Sequence, residues 1–351
     1  MTTTRSLIAE STAANLTVSE MPLRKLEPSR VKMDILYSGI CHSDIHQVRG
    51  EWSAGIFPMV PGHEMVGVVT EVGSAVTKFK VGDRIGVGVF VDSCRECEYC
   101  LDNQENFCVK GPVGAYNGRH YDGEPSYGGY AQSVVVEERF AVHISEDVNL
   151  AETAPLLCAG ITVYTPLTHW NAGPGKKVAI LGMGGLGHLG VKIAVALGAE
   201  VTVLGHSASK KDDALAFGAV DYLTTDESIG KIRNKFDMIL NTTSADLNVD
   251  GLLAMLRVDG ALVNVGLPGT RQDYNPFSIV DGRKSIAGSN TGGMKATQEM
   301  LDFCAEHDVT PEIRSGAGPL LHLMPSTSRS ESTRTAAPRI PGIDDRMRCA
   351  G

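Results

Sequence analysis

The chain has 351 residues and a formal net charge of -9, a balance that gives nucleic acid and anionic membrane surfaces no electrostatic reason to bind it. Its length predicts two domains, and with 42% apolar and 21% charged residues it has the make-up of a globular protein able to bury a core. No apolar run reaches the roughly 20 residues a bilayer demands, and Met1 to Glu20 lacks the basic start and apolar stretch of a secretory signal; a cytoplasmic location is therefore expected, where clustered cysteines hold metal more often than they form disulfides.

Residues 1–150 read as β-rich. Short apolar runs, such as Val66 to Val69 and Ser133 to Val136, stand between Gly, Asp and Pro, with Gly62, Gly67, Gly73, Gly82, Gly86 and Gly88 closely spaced. This punctuation predicts a barrel-like sheet with many turns. Gly111 to Tyr130, rich in Gly, Pro and Tyr, predicts a long surface loop. Residues 151–290 alternate. Lys177 to Leu181, Glu200 to Leu204, Phe236 to Leu240 and Ala261 to Val265 are strand-like, whereas His188 to Leu197, Asp212 to Phe217 and Gly251 to Arg257 are helix-like. Such alternation predicts a parallel sheet covered by helices. Ala296 to His307 has helical spacing, and residues 314–351, rich in Ser, Thr, Arg and Pro, read as disordered by composition.

Two cysteine-containing patterns carry metal chemistry. Cys94, Cys97, Cys100 and Cys108 offer four thiolates, the closed shell of a structural zinc; four unrelated cysteines or an iron–sulfur cluster are the alternatives. Cys41, His63 and Cys158 offer two thiolates and an imidazole, leaving a fourth position open for water or substrate. Leu181 to Gly187 reads G-x-G-x-x-G through Gly182, Gly184 and Gly187, with Gly185 and Leu186 between them, after a strand and before a helix. That context marks a dinucleotide pyrophosphate site. The next strand ends in Leu204-Gly205-His206-Ser207-Ala208-Ser209-Lys210-Lys211, with no acid for a ribose 2′-hydroxyl. Ser207 and Lys211 suit a 2′-phosphate; a solvated turn is the plain alternative. Trp52 and Phe57, just beyond the first candidate ligand, are candidates for an apolar substrate lining or for core.

The runs Gly39 to His46 and Pro61-Gly62-His63-Glu64, together with the four-cysteine lobe, resemble the zinc-containing medium-chain alcohol dehydrogenases, in particular the NADP-dependent, cinnamyl-alcohol-dehydrogenase-like aldehyde reductases. The resemblance runs from about Val31 to about Ile313. It implies an α/β protein with a GroES-like β-rich catalytic domain (residues 1–150, with a contribution from about 291–313) and a Rossmann doubly wound domain (residues 151–290). It implies two zinc ions per chain and NADP(H), with Cys41, His63 and Cys158 on the catalytic zinc, Glu64 as a transient ligand and Asp44 supporting His63. Thr162, Val265, Ser289 and Asn290 become further cofactor contacts. Ser43 and His46 become a proton relay serving a carbonyl polarised by zinc and reduced by NADPH. A homodimer or homotetramer built through the nucleotide-binding domains is implied too. An NAD-dependent zinc polyol dehydrogenase fits the ligands but not the missing strand-end acid. Residues 314–351 depart from the family pattern, through a reading-frame change or a divergent tail, so the first domain is expected to lack its closing elements and to lose stability; an inactive relative that keeps the fold without turnover is the alternative to an active enzyme.

Overall fold

A computed structural model describes residues 2–313. The expectations for residues 314–351 fall outside the described residues. The chain divides into two compact units: one takes in the residues up to Cys158 with Gly293–Asp302, the other Ala159–Gly292 with Phe303–Pro311. The first boundary thus lies beyond Leu150, so that Cys158 stays with the other candidate ligands of its set.

The first unit begins with a hairpin that periodicity did not reveal, β1 (Thr3–Ile8) antiparallel to β2 (Thr17–Pro22). Next come β3 (Arg30–Ser38), α1 (His42–Val48), β4 (Met65–Val72), β5 (Arg84–Val87) and β6 (Phe90–Asp92). The lobe helix α2 (Glu98–Leu101) leads to β7 (Val113–Gly114), β8 (Ser133–Glu137), β9 (Val142–His143) and α3 (Leu150–Thr153). Five strands form an antiparallel sheet in the order β8-β3-β4-β5-β9. Alternate residues of β3, namely Val31, Met33 and Ile35, are buried, and they pack with Met65, Val69, Ile85 and Phe140 into one core. This is the period-2 burial of a sheet with one face on the core. The many-turned β unit takes the form of this sheet flanked by two two-stranded ribbons, β1-β2 and β6-β7, not of one continuous ladder.

The Gly111 to Tyr130 expectation needs correction. Val113–Gly114 pairs with β6, and Gly128, Gly129 and Tyr130 are buried. Burial is possible because their backbone groups are satisfied: Gly128 N–H donates to Val60 O at 2.8 Å, Gly129 N–H to Gly62 O at 2.9 Å and Tyr130 N–H to Pro61 O at 2.9 Å.

In the second unit α4 (Ala159–His169) precedes β10 (Lys177–Leu181), α5 (Gly185–Ala196), β11 (Glu200–Gly205), α6 (Lys211–Ala216), β12 (Asp221–Thr224) and α7 (Thr225–Ser228). They are followed by β13 (Phe236–Asn241), α8 (Val249–Met255), β14 (Leu256–Asn264), α9 (Phe277–Val280) and β15 (Ser285–Gly288), with α10 (Met294–Glu306) after them. The helix read over Gly251 to Arg257 starts earlier and ends earlier, at Met255, and Leu256 already pairs with Phe236. All six strands are parallel, in the order β12-β11-β10-β13-β14-β15. Chain order reverses between β10 and β13, the switch point at which a doubly wound sheet opens a crevice for a nucleotide. Val178 to Leu181 and Val201 to Leu204 are buried without interruption, as expected of strands covered on both faces. Among the described residues no helix is long and apolar enough to cross a membrane.

Candidate functional site

Helix α1 starts from Cys41, whose sulfur accepts from Ser43 N–H at 3.5 Å while its own N–H donates to Asp44 Oδ2 at 3.0 Å. This reciprocal cap fixes the first candidate ligand at a helix start. Cys41, His63, Glu64 and Cys158 come together with one donor atom each, all within 4.8 Å of one another, and all but Cys41 are buried. Donors about 2.0–2.3 Å from a tetrahedral zinc lie about 3.3–3.8 Å apart, so the set fits that ion. His63 Nε2 stands 3.2 Å from Cys158 Sγ, and His63 Nδ1 is 3.0 Å from Asp44 Oδ1. Asp44 thereby orients the ring with Nε2 toward the thiols.

The electrostatics follow from crowding dissociable groups in a buried space. The Cys158 hydrogen bond holds Cys41 well below the usual thiol range, against the opposing effect of burial. Its hydrogen bond to Cys41, then burial, push Cys158 up; the two sulfurs thus share a proton that a cation would displace. Burial opposes a charged His63, but the Asp44 carboxylate overrides it and raises that imidazole. Burial, then the Cys41 charge, push Glu64 up to about 8. Glu64 reaches into space left by Gly39, where a Cβ would lie 1.7 Å from Oε2.

The two residues implied as a relay occupy successive turns of α1. Ser43 Oγ is 3.4 Å from Cys41 Sγ. His46 Nδ1 pairs with Glu51 Oε2, and its ring stacks on Trp52 with centroids 4.8 Å apart. Trp52 is thus a half-exposed partner of His46, whereas Phe57 packs against the first core.

Cys94, Cys97, Cys100 and Cys108 form the second donor set. The sulfurs of Cys94 and Cys100 are 3.8 Å apart and those of Cys97 and Cys100 are 3.4 Å apart, the spacing of a tetrahedral four-thiolate shell. Backbone N–H groups aim at these sulfurs: Cys94 N–H donates to Cys108 Sγ and Cys97 N–H to Cys94 Sγ. The Val109 N–H brings Cys97 down to about 6, a thiol ready to lose its proton to a cation, whereas burial pushes Cys100 up to about 12. Arg95 ties the lobe to the sheet through Asp92 at 2.7 Å and Glu137 at 3.3 Å. With four protein donors the shell is closed, so this set staples the lobe and leaves no place for a substrate.

In the second unit the glycine turn follows β10. Gly182 has φ +94, open to glycine without strain. A Cβ on Gly187 would lie 2.2 Å from Gly182 O, so only glycine lets α5 approach the turn. Around Gly184 and Gly185 there is open space, and Gly184 caps α5, so Leu186 lies in the first turn of a helix start of the kind that accepts a phosphate. Beyond β11, Ser207 caps a short turn and its Oγ is 2.9 Å from Ser209 Oγ. Lys211 is exposed at the start of α6. Lys210, which the sequence did not single out, donates to Met183 O at 2.9 Å and ties the Ser207 turn to the glycine turn. Val265 N–H donates to Asn241 O and Ser289 N–H to Asn264 O, so both residues, with Asn290, stand at the C-terminal ends of the strands. Thr162 lies half-buried on α4. Two residues to which the sequence assigned no role also hold Asp44: Gly62, whose N–H donates to Oδ1 at 3.1 Å, and Tyr130, whose hydroxyl donates to Oδ2 at 2.9 Å.

Comparison with known proteins agrees with this geometry. Residues 27–146 match the alcohol dehydrogenase GroES-like domain and residues 185–306 match the zinc-binding dehydrogenase domain. A probable formaldehyde dehydrogenase of Bacillus subtilis is 56% identical over 312 residues, 88% of this chain and 89% of that protein. An NADP-dependent alcohol dehydrogenase of Mycolicibacterium smegmatis is 52% identical over 89% of this chain and 90% of its own length. The crystal structure of a CAD from Helicobacter pylori complexed with NADP(H) superposes with a TM-score of 0.84 at 40% identity, covering 89% of this chain and 90% of that one. Two donor sets of the expected spacing, a switch-point glycine turn and relatives of this similarity together assign the chain to the zinc-dependent alcohol dehydrogenases, with the NADP-dependent and cinnamyl-alcohol-dehydrogenase-like members among its relatives.

Proposed function

We propose that the protein interconverts small aldehydes and alcohols with NADP(H) in a zinc-dependent reaction. The convergence of Cys41, His63, Glu64 and Cys158 within one donor shell is the observation that carries this reading. Once bound, zinc supplies Lewis-acid polarisation of a carbonyl and the nicotinamide supplies the hydride. Asp44 accepts from His63 Nδ1–H, which commits Nε2 to the metal side. Ser43 Oγ, beside the Cys41 sulfur, donates the proton that the reduced oxygen needs. His46, one turn further along α1, would return that proton to Ser43. Glu51 occupies His46 Nδ1, so Nε2 is the nitrogen left to exchange with the relay. Ser207 and Lys211 receive the 2′-phosphate, and the first turn of α5 receives the pyrophosphate. The NAD-dependent polyol alternative finds no strand-end acid to support it.

Initial rates with benzaldehyde and with medium aliphatic aldehydes test the reading: NADPH is expected to outperform NADH, and equal rates with the two would remove the cofactor assignment. His46→Gln is expected to lower kcat by about 10²-fold while zinc content stays unchanged. An unchanged kcat takes His46 out of the relay.

A cytoplasmic location and a homodimer belong to the same proposal. Strand β15 ends the six-stranded sheet with Ile286 37% exposed, and Phe277 and Val280 of the neighbouring α9 are 78% and 72% exposed. An edge with no further strand beside it among the described residues, next to apolar side chains, calls for a cover, and a second copy pairing along β15 provides one. Sedimentation is expected to give twice the chain mass, and Ile286→Lys is expected to shift it to the monomer.

A further inference from the structure

Asp44 holds the zinc-binding imidazole with one oxygen; what holds Asp44 is the question its surroundings answer. It is 4% exposed, and its four hydrogen-bond partners divide between its oxygens. Oδ1 takes His63 Nδ1 at 3.0 Å and Gly62 N–H at 3.1 Å, while Oδ2 takes Cys41 N–H at 3.0 Å and Tyr130 Oη–H at 2.9 Å. Three of these donors belong to the ligand-bearing segments themselves. Tyr130 comes from elsewhere in the chain and donates to Oδ2; the Tyr116 hydroxyl also faces Asp44 and helps hold its carboxyl down, but meets no hydrogen-bond geometry.

The backbone has been shaped to deliver that phenol. A Cβ on Gly128 would lie 2.3 Å from Gly62 O and 2.5 Å from Pro61 O, and a Cβ on Gly129 would lie 2.2 Å from Met65 Cγ. Gly62 itself, at φ +102, would meet Tyr130 Cδ1 at 2.7 Å. Three glycines therefore let the Gly128–Tyr130 run lie flat on Pro61-Gly62-His63, locked by the Gly128, Gly129 and Tyr130 N–H bonds to Val60, Gly62 and Pro61. Tyr130 is 9% exposed. Burial, then the Asp44 charge, keep its hydroxyl protonated well past the usual phenol range, so it is a donor at every working pH.

We propose that Tyr130 is a positioning residue for the catalytic metal: its hydroxyl pins Asp44 Oδ2, which turns Oδ1 onto His63 Nδ1 and keeps His63 Nε2 aimed into the donor set. This rests on the zinc reading above. Without the hydroxyl, Oδ2 keeps only the Cys41 N–H, and the carboxylate can turn toward the Tyr116 hydroxyl that also faces it, loosening the imidazole. Removing outer partners of metal-ligating histidines commonly weakens metal binding 10–100-fold; Tyr130 acts one bond further out, so the lower end applies.

The test loads wild type and Tyr130→Phe with zinc and follows release of each ion to a chromogenic chelator. Catalytic-site zinc is expected to leave Tyr130→Phe about tenfold faster, with release from the four-cysteine lobe unchanged. In the Asp44→Asn background the same phenylalanine substitution is expected to add little, because the two act through one bond. Equal release rates for wild type and Tyr130→Phe, or the full tenfold effect persisting in the Asp44→Asn background, would overturn the proposal. A wild-type chain that takes up no zinc fails the earlier reading instead. Should the phenylalanine variant not fold, 3-fluorotyrosine at position 130 keeps the ring and strengthens the donor. The downfield His63 Nδ1 proton resonance of the zinc-loaded protein is then expected to shift, and an unmoved resonance contradicts the proposal.

Discussion

Replacing Cys41 with alanine is expected to remove one of two zinc ions and to lower kcat/KM for aldehyde reduction by about 10³–10⁴-fold. Lewis-acid stabilisation of developing oxyanion charge is worth several kcal/mol, and each 1.36 kcal/mol is a factor of ten in rate. Cys41 is also the group that draws the Cys158 proton and caps α1, so its loss leaves His63 and Cys158 without the anionic partner that a cation needs. The fold is expected to survive, since the Cys41 side chain lies outside the buried core of the unit and the lobe set is built separately around Cys94 to Cys108. Metal analysis should give one zinc per chain, and thermal unfolding should stay within a few degrees of wild type. A variant with two zincs, or with rates within tenfold of wild type, would mean that another group fills the position.

The second large effect is in the cofactor. His206 follows the last residue of β11 and is exposed, the place where an NAD site carries an acid. His206→Asp sets a carboxylate against the 2′-phosphate that Ser207 and Lys211 would receive. Like charges in contact cost several kcal/mol, so the NADPH-over-NADH ratio of kcat/KM is expected to fall by about 10²–10³-fold, most of it in KM for NADPH. The ribose 2′-hydroxyl of NADH gains an acceptor, so the NADH rate should rise or hold. An unchanged ratio would show that the 2′-phosphate is bound elsewhere.

Much of this architecture is legible in the chain because the features that position it are short-range. The glycine turn announces itself through strand-turn-helix context, and the parallel strands through apolar runs that are buried on both faces. The metal ligands are legible for another reason: few chemical roles need cysteine and histidine at such places together. What stayed hidden depends on long-range approach. The β1–β2 hairpin buries the polar Thr4 and Ser6 and exposes Val18, so its burial runs against the apolar pattern and nothing in Thr3–Pro22 marks it. Gly111 to Tyr130 reads as loop from its Gly, Pro and Tyr content, yet its last residues are buried because Val60, Pro61 and Gly62, some seventy positions earlier, take up their N–H groups. The Gly128-Gly129-Tyr130 run was the available signal: paired glycines before an aromatic mark close backbone contact. Lys210 was hidden by its neighbour, because sequence cannot tell which of two adjacent lysines turns inward to Met183. The Gly251 to Arg257 helix overran its end because Leu256 continues the apolar spacing of Leu252 and Leu253, a residue that the strand uses instead.

The central claim is that one chain holds two zinc sites of different kinds, one closed and one that turns over substrate. The most direct test measures zinc and NADPH-dependent benzaldehyde reduction on one preparation while a chelator is titrated in. The account predicts two zincs per chain at the start, activity that falls in step with loss of the first, and recovery when zinc is returned. Full activity in a preparation stripped of zinc from Cys41, His63 and Cys158 would contradict it.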